Sequence, residues 1–205
     1  MTVKLTAGVT RVAASDDRVR YDKFSMALHW ATAGLVVLMF ILAEFWGFAS
    51  RPVRREMIVA HMSFGILLTL VLVVRIAWRL TPGHRVQDAT TGVAEIAAKT
   101  VHVLLYVLLA AQAALGFVLR WSGNEAMSFF GRQIPPPFAP FSKPAHHLVG
   151  NLHNWNAWII ILLAGGHAGA ALFHRYILRD DVLSRMLPGI QPRQAPMHAM
   201  SRGKR

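Results

Sequence analysis

Residues 147–176 run HLVGNLHNWNAWIIILLAGGHAGAALFHRY, with no Asp, Glu, Lys or Arg before Arg175. A helix crossing a bilayer needs about 20 predominantly apolar residues, so this stretch predicts a membrane span. It also carries His153 and His167. Ionisable side chains at membrane depth are costly and face the bundle interior or a site. The two histidines are 14 residues apart, which at 3.6 residues per turn is almost four whole turns, so both rings leave one face of the helix about 21 Å apart along its axis. That separation suits two stacked cofactors, one near each membrane surface, and not a single shared metal ion.

Three more stretches have the same character, giving four spans near 26–48, 57–80, 98–120 and 147–173. The chain of 205 residues is 54% hydrophobic and 16% charged, and these long uncharged runs make it too apolar for an ordinary soluble domain. The expected fold class is an all-α integral membrane protein, a four-transmembrane-helix bundle enclosing two haems. Residues 23–187 would form the bundle, 1–22 a cytoplasmic tail, and 188–205, which open with prolines and glycine and end basic, a disordered tail. The polar run ahead of the first span lacks the pattern of a cleavable leader, so that span is expected to remain as an anchor. Thr81-Pro82-Gly83 is a stop signal after the second span, and Pro135-Pro136-Pro137 predicts a stiff, extended segment in the loop 122–146.

A net charge of +12 would point to nucleic acid in a soluble protein. Here the positive-inside rule accounts for it. With the N-terminus cytoplasmic, the outer loops hold Arg51, Arg54, Arg55, Arg120, Arg132 and Lys143, and the remaining 16 of the 22 basic residues lie inside. Both termini are therefore expected in the cytoplasm of a bacterium, with the chain in its inner membrane. The outer face still keeps a positive balance. The absence of cysteine excludes disulfides, iron–sulfur clusters and covalent haem attachment. It leaves open a haem held by axial ligands alone.

A six-coordinate haem iron takes a second axial ligand from a facing helix, and depth selects the partners. His153 and His61 each lie early in a helix that starts outside. His167 lies late in its helix and His29 early in one that starts inside. The expected pairs are His61 with His153 for an outer haem and His29 with His167 for an inner one. Gly34, Gly65, Gly150, Gly165, Gly166 and Gly169 surround these positions and would allow a flat macrocycle to approach, although small residues also serve ordinary helix packing in membranes. His102 has no partner left at its depth and is expected to line the inner pocket or contact a quinone. Arg75, 14 residues after His61, shares its face at inner depth, where a buried guanidinium needs an anion such as a propionate. His174 is placed to touch a propionate as well. Glu44, followed by Arg51, Arg54 and Arg55, suggests a local charge cluster rather than a proton carrier.

Taken together, Tyr21-Asp22-Lys23 before Leu28-His29-Trp30, Glu44-Phe45 with Gly47-Phe48, His61 with Gly65, Val74-Arg75-Ile76 with Arg79-Leu80, His102 with Tyr106, Gly116, His153, and Gly166-His167-Ala168-Gly169 leading to His174-Arg175-Tyr176 make the chain resemble the bacterial cytochrome b-561 family. Its superfamily also holds the membrane b subunits of nickel hydrogenases and formate dehydrogenases. The resemblance covers roughly Tyr21 to Pro188. It implies two non-covalent haems b, ligated by His29, His61, His153 and His167. For the stand-alone bacterial branch it further implies a superoxide:ubiquinone oxidoreductase that oxidises superoxide outside and reduces ubiquinone. The proline-rich outer loop departs from the family pattern, which bears on the substrate.

The expected partners are thus the lipid bilayer, a quinone and a small anionic donor, with no nucleic acid. The alternative is an electron-transfer subunit of a larger respiratory complex. A non-redox transporter fits poorly, because the spans hold no Asp and almost no Glu.

Overall fold

The computed structural model describes residues 21–81, 92–180 and 182–187. Most of the expected tails and the Pro82-Gly83 stop signal lie outside them. Four long helices carry the fold: α1 (Lys23–Phe45), α2 (Arg51–Leu80), α3 (Val93–Ser122) and α4 (Lys143–Phe173). Each is long and apolar enough to cross a membrane. Their starts are chemically marked. The Asp22 carboxylate accepts from the Ser25 amide at 2.9 Å and from the Ser25 hydroxyl at 2.6 Å, closing the first turn of α1. Helices α2 and α4 carry Pro52 and Pro144 in their opening turns, where a missing N–H is harmless. Helices α2, α3 and α4 begin several residues before the apolar runs themselves.

Helix α1 packs along α2, and α3 along α4, while contacts between these two hairpins are much sparser. The buried apolar core is correspondingly thin. Leu72, Leu109 and Ile160 meet at mid-bundle, flanked by Val36, Tyr106 and Leu108. Above and below this plug, the space between the two helix pairs is lined by histidines.

The loop after α3 differs from expectation. Ahead of Pro135–Pro137, Met127–Phe129 (β1) and Arg132–Ile134 (β2) pair as an antiparallel hairpin. The two-residue turn Phe130-Gly131 has φ of 47° and 90°, positive at both positions as a tight hairpin turn of the I′ type requires. Ser63 of α2 anchors it. The Ser63 hydroxyl accepts from the Phe130 amide at 2.8 Å and lies 2.7 Å from the Val59 carbonyl, to which it donates. The hairpin thus lies against α2 two residues beyond His61. This end of the bundle is called the hairpin end below, and the opposite one the terminal end.

At the terminal end α4 runs on into one π-helical turn, His174–Leu178. The chain then reverses at Arg179, whose φ is 56°. The short turn Ser184–Met186 folds back, and the Trp30 indole of α1 donates to the Met186 carbonyl at 2.9 Å.

Candidate functional site

The six residues singled out as cofactor-binding candidates gather in two layers, four of them as facing histidine pairs. At the hairpin end His61 of α2 faces His153 of α4, with ring centroids 6.4 Å apart. At the terminal end His29 of α1 faces His167 of α4 at 6.5 Å. Two metal–imidazole bonds of about 2 Å, in line across one ion, put ring centres about 6 Å apart, so each pair is spaced to hold an iron between its rings. His153 Nδ1 is buried without a hydrogen-bond partner. A Cβ on Gly165, Gly166 or Gly169, which flank His167 in sequence, would meet nothing within 4 Å. A Cβ on Gly116 would come within 3.3 Å of His153 Cε1, so glycine there admits the ring. Gly65 serves packing instead, lying under the Met39 side chain. In donor type, spacing and room, these residues fit haem b.

The two layers differ in what holds the rings. His61 Nδ1 donates to the Met39 carbonyl at 3.1 Å. That fixes the proton on Nδ1 and leaves Nε2 with its lone pair, the arrangement typical of a metal-ligating histidine. At the terminal end Arg75 Nη2 donates to His29 Nδ1 at 3.0 Å, and its guanidinium lies 5.1 Å from the Tyr106 ring centre. Arg75 therefore stands at the expected depth, directed at the imidazole itself. His102 lies beside His167 with centroids 5.0 Å apart, which makes three imidazoles in this layer. Arg75 also lines a narrow cleft with Tyr21, Ser25, Trp78, Arg79 and Tyr106. His174, expected to touch a propionate, has its Nδ1 engaged by a carboxylate. Its Nδ1 donates to Asp180 at 2.5 Å, because the reversal at Arg179 brings that carboxylate back over it. At the other end, His146 is hydrogen-bonded to the Ser122 hydroxyl at 2.9 Å.

Two residues escaped the sequence reading. The Gln112 amide donates to His153 Nε2 at 3.2 Å. Asn156 Nδ2 donates both to Gln112 Oε1 at 2.7 Å and to the Leu108 carbonyl at 3.0 Å. Asn156 lies three residues after His153, on the same helix face, and that spacing was the available signal.

The surface of the hairpin end holds a cleft of about 270 Å³, floored by Ile58, Val59 and Met62 and rimmed by Arg51, Arg54, Arg55 and Arg120. The cleft lies at the same end of the bundle as the His61–His153 layer. Arg54 is engaged by the carbonyls of Trp46 and Gly47, at 3.0 and 2.8 Å, and Arg120 by Glu125. Among the described residues Arg51, Arg55 and Glu44 enter no ion pair, so the expected charge cluster around Glu44 does not form; carbonyls at the end of α1 take Arg54 instead.

Apolar spans bearing facing imidazole pairs define a membrane cytochrome of the b type. The family model for prokaryotic cytochrome b561 matches residues 20–189. The chain is 33% identical over 177 residues to cytochrome b561 homolog 2 of Escherichia coli K12, covering 82% of this chain and 91% of that one. It is 31% identical over 173 residues to cytochrome b562 of Cereibacter sphaeroides, covering 82% and 94%. To the probable superoxide oxidase CybB of Yersinia pestis it is 28% identical over 180 residues, covering 82% and 96%. The chain belongs to the prokaryotic cytochrome b561 family: it is a bacterial membrane protein that binds haem b and transfers electrons.

Proposed function

We propose that this cytochrome is a superoxide:ubiquinone oxidoreductase that holds two haems b, one between His61 and His153 and one between His29 and His167, with the hairpin end outside the cell and both termini in the cytoplasm. The observation that carries this reading is the arginine-rimmed cleft at the hairpin end, the end that holds His61 and His153. Arg51 and Arg55 present unneutralised guanidinium groups there, and a concave positive surface raises the association rate of a small anion by about 10- to 1000-fold at low salt. The rim favours superoxide over its neutral product, O₂, so the product leaves readily.

Two superoxide anions each lose one electron and depart as O₂. The two electrons, with two protons, convert one ubiquinone to ubiquinol. Haem b, when bound, supplies the one-electron steps between these reactions. The chain's own part is to attract the anion at the rim and to hold each ligand ring in place. At the terminal end, Arg75 and Arg79 favour the added negative charge of reduction, and His102 is placed to hand on a proton. The chain spans nearly the full length of its relatives, 91% to 97%.

The test is ubiquinone reduction by the purified protein in proteoliposomes supplied with a superoxide source. The expected result is quinol formation abolished by superoxide dismutase and slowed by salt. Quinol formation that is indifferent to the dismutase would refute superoxide as the donor.

A further inference from the structure

The arginine-rimmed cleft offers more than a diatomic anion can use. Its volume is about 270 Å³, several times the ~30 Å³ that a water molecule takes up in the liquid. Superoxide has no apolar part, so the floor of Ile58, Val59 and Met62 gives it nothing to bind.

The lining is graded in polarity. Arg51, Arg55, Ile58 and Met62 recur at helical spacing and share one face of α2. From Arg51 to Met62 the axial rise is about 16 Å, and along it the face passes from cationic to apolar. Arg120 of α3 closes the other side, held by Glu125 and by the Ala126 carbonyl at 3.3 Å. Among the described residues Arg51 and Arg55 enter no ion pair. They are like charges at i and i+4, which repel each other, and an anion seated between them relieves the repulsion. Helix α2 is long and apolar enough to cross the membrane and begins at Arg51. The two guanidinium groups therefore stand at headgroup depth, and the floor at the depth where acyl chains begin.

We infer that this cleft binds an anionic phospholipid from the leaflet at the hairpin end. The phosphodiester lies against Arg51 and Arg55, because a guanidinium meets phosphate oxygens with paired donors. The glycerol and first acyl carbons lie on Ile58, Val59 and Met62. Phosphatidylcholine carries the same phosphate but brings a second cation to an already cationic rim, so the site selects a headgroup of net negative charge, such as that of phosphatidylglycerol. The inference rests on the membrane spans and the cleft, whatever donor the cytochrome oxidises. If that donor is superoxide, lipid and substrate compete for the same two arginines.

The test is site-resolved photolabelling. The holoprotein is placed in phosphatidylcholine vesicles with a trace of phosphatidylglycerol or phosphatidylcholine bearing a diazirine at the top of one acyl chain, and attached lipid is mapped by peptide mass spectrometry. A basic residue at the membrane surface favours an anionic lipid by about 5-fold, so residues 58–62 are expected to carry about 5- to 25-fold more of the phosphatidylglycerol label at low salt. The exposed Leu162 region of α4 is expected to take both labels alike. Arg51→Gln with Arg55→Gln should bring the phosphatidylglycerol label at 58–62 down to the phosphatidylcholine level and leave the Leu162 region unchanged. Equal labelling of 58–62 by the two lipids in the natural chain would overturn the inference, as would an excess that survives loss of both arginines. Should that variant lose its haem spectrum, the natural chain at high salt decides, since salt screens exposed charges: collapse of the excess supports the inference and its persistence overturns it. Quinol formation indifferent to superoxide dismutase would refute the donor and leave this labelling pattern untouched, so the two failures are told apart.

Discussion

The hairpin-end and terminal-end layers present their imidazole pairs at nearly the same spacing, 6.4 and 6.5 Å, yet they are set by opposite means. At the hairpin end uncharged groups hold the rings: the Met39 carbonyl for His61 and the Gln112 amide for His153. At the terminal end a guanidinium holds His29, with Arg79 close by and a third imidazole, His102, beside His167. Ring spacing is therefore not what separates the two layers. A nearby positive charge favours the reduced state of a redox group, so the terminal-end centre is expected to have the higher midpoint potential. Electrons would then run downhill from the arginine-rimmed cleft toward the terminal end, the direction that superoxide oxidation with quinone reduction requires.

The comparison breaks most completely at its ligands. His153→Ala is expected to remove the hairpin-end haem and His167→Ala the terminal-end haem, halving the haem per protein in each case; the pyridine haemochrome assay with low-temperature spectra reads both. Loss of the same spectral component in the two variants would abolish the distinction between layers. Next comes Arg75→Leu. The variant should lower the midpoint potential of the terminal-end haem, while the hairpin-end component titrates as before; a redox titration followed optically checks this. Arg51→Gln with Arg55→Gln should leave both haems in place and slow superoxide oxidation about 10-fold at low salt, with a weaker salt dependence. The smallest effect belongs to Ser63→Ala, which strips the Phe130 amide of its acceptor. The expected cost is about 1–3 kcal/mol, read as faster hydrogen exchange at Phe130, with the terminal-end centre unaffected.

The four spans were legible because an uncharged apolar run of bilayer length is seldom anything but a membrane helix, and the histidine layers because 14 residues is close to a whole number of turns. Depth alone then paired His61 with His153 and His29 with His167, the same pairs that the helices bring face to face. What the sequence concealed was local. Gln112 and Asn156 sit in apolar stretches where an amide passes for ordinary glue between helices, and only the contact across α3 and α4 gives them a direction. The β-hairpin turns on Phe130 with positive φ, a conformation that a bulky side chain rarely adopts, so no turn signal marked it. Arg75 was placed at the right depth, but its partner is a ring on α1, which a reading of one helix does not show. His174 went to Asp180 because the chain reverses after a π-helical turn that carries no sequence signature.

The most direct test of two separate haem layers is a reduced-minus-oxidised spectrum of the purified protein with a quantitative haem count. The expected result is two non-covalent haems b per chain, both low-spin, with distinct midpoint potentials. A colourless protein, or one that binds a single haem when fully loaded, would contradict the two-layer arrangement.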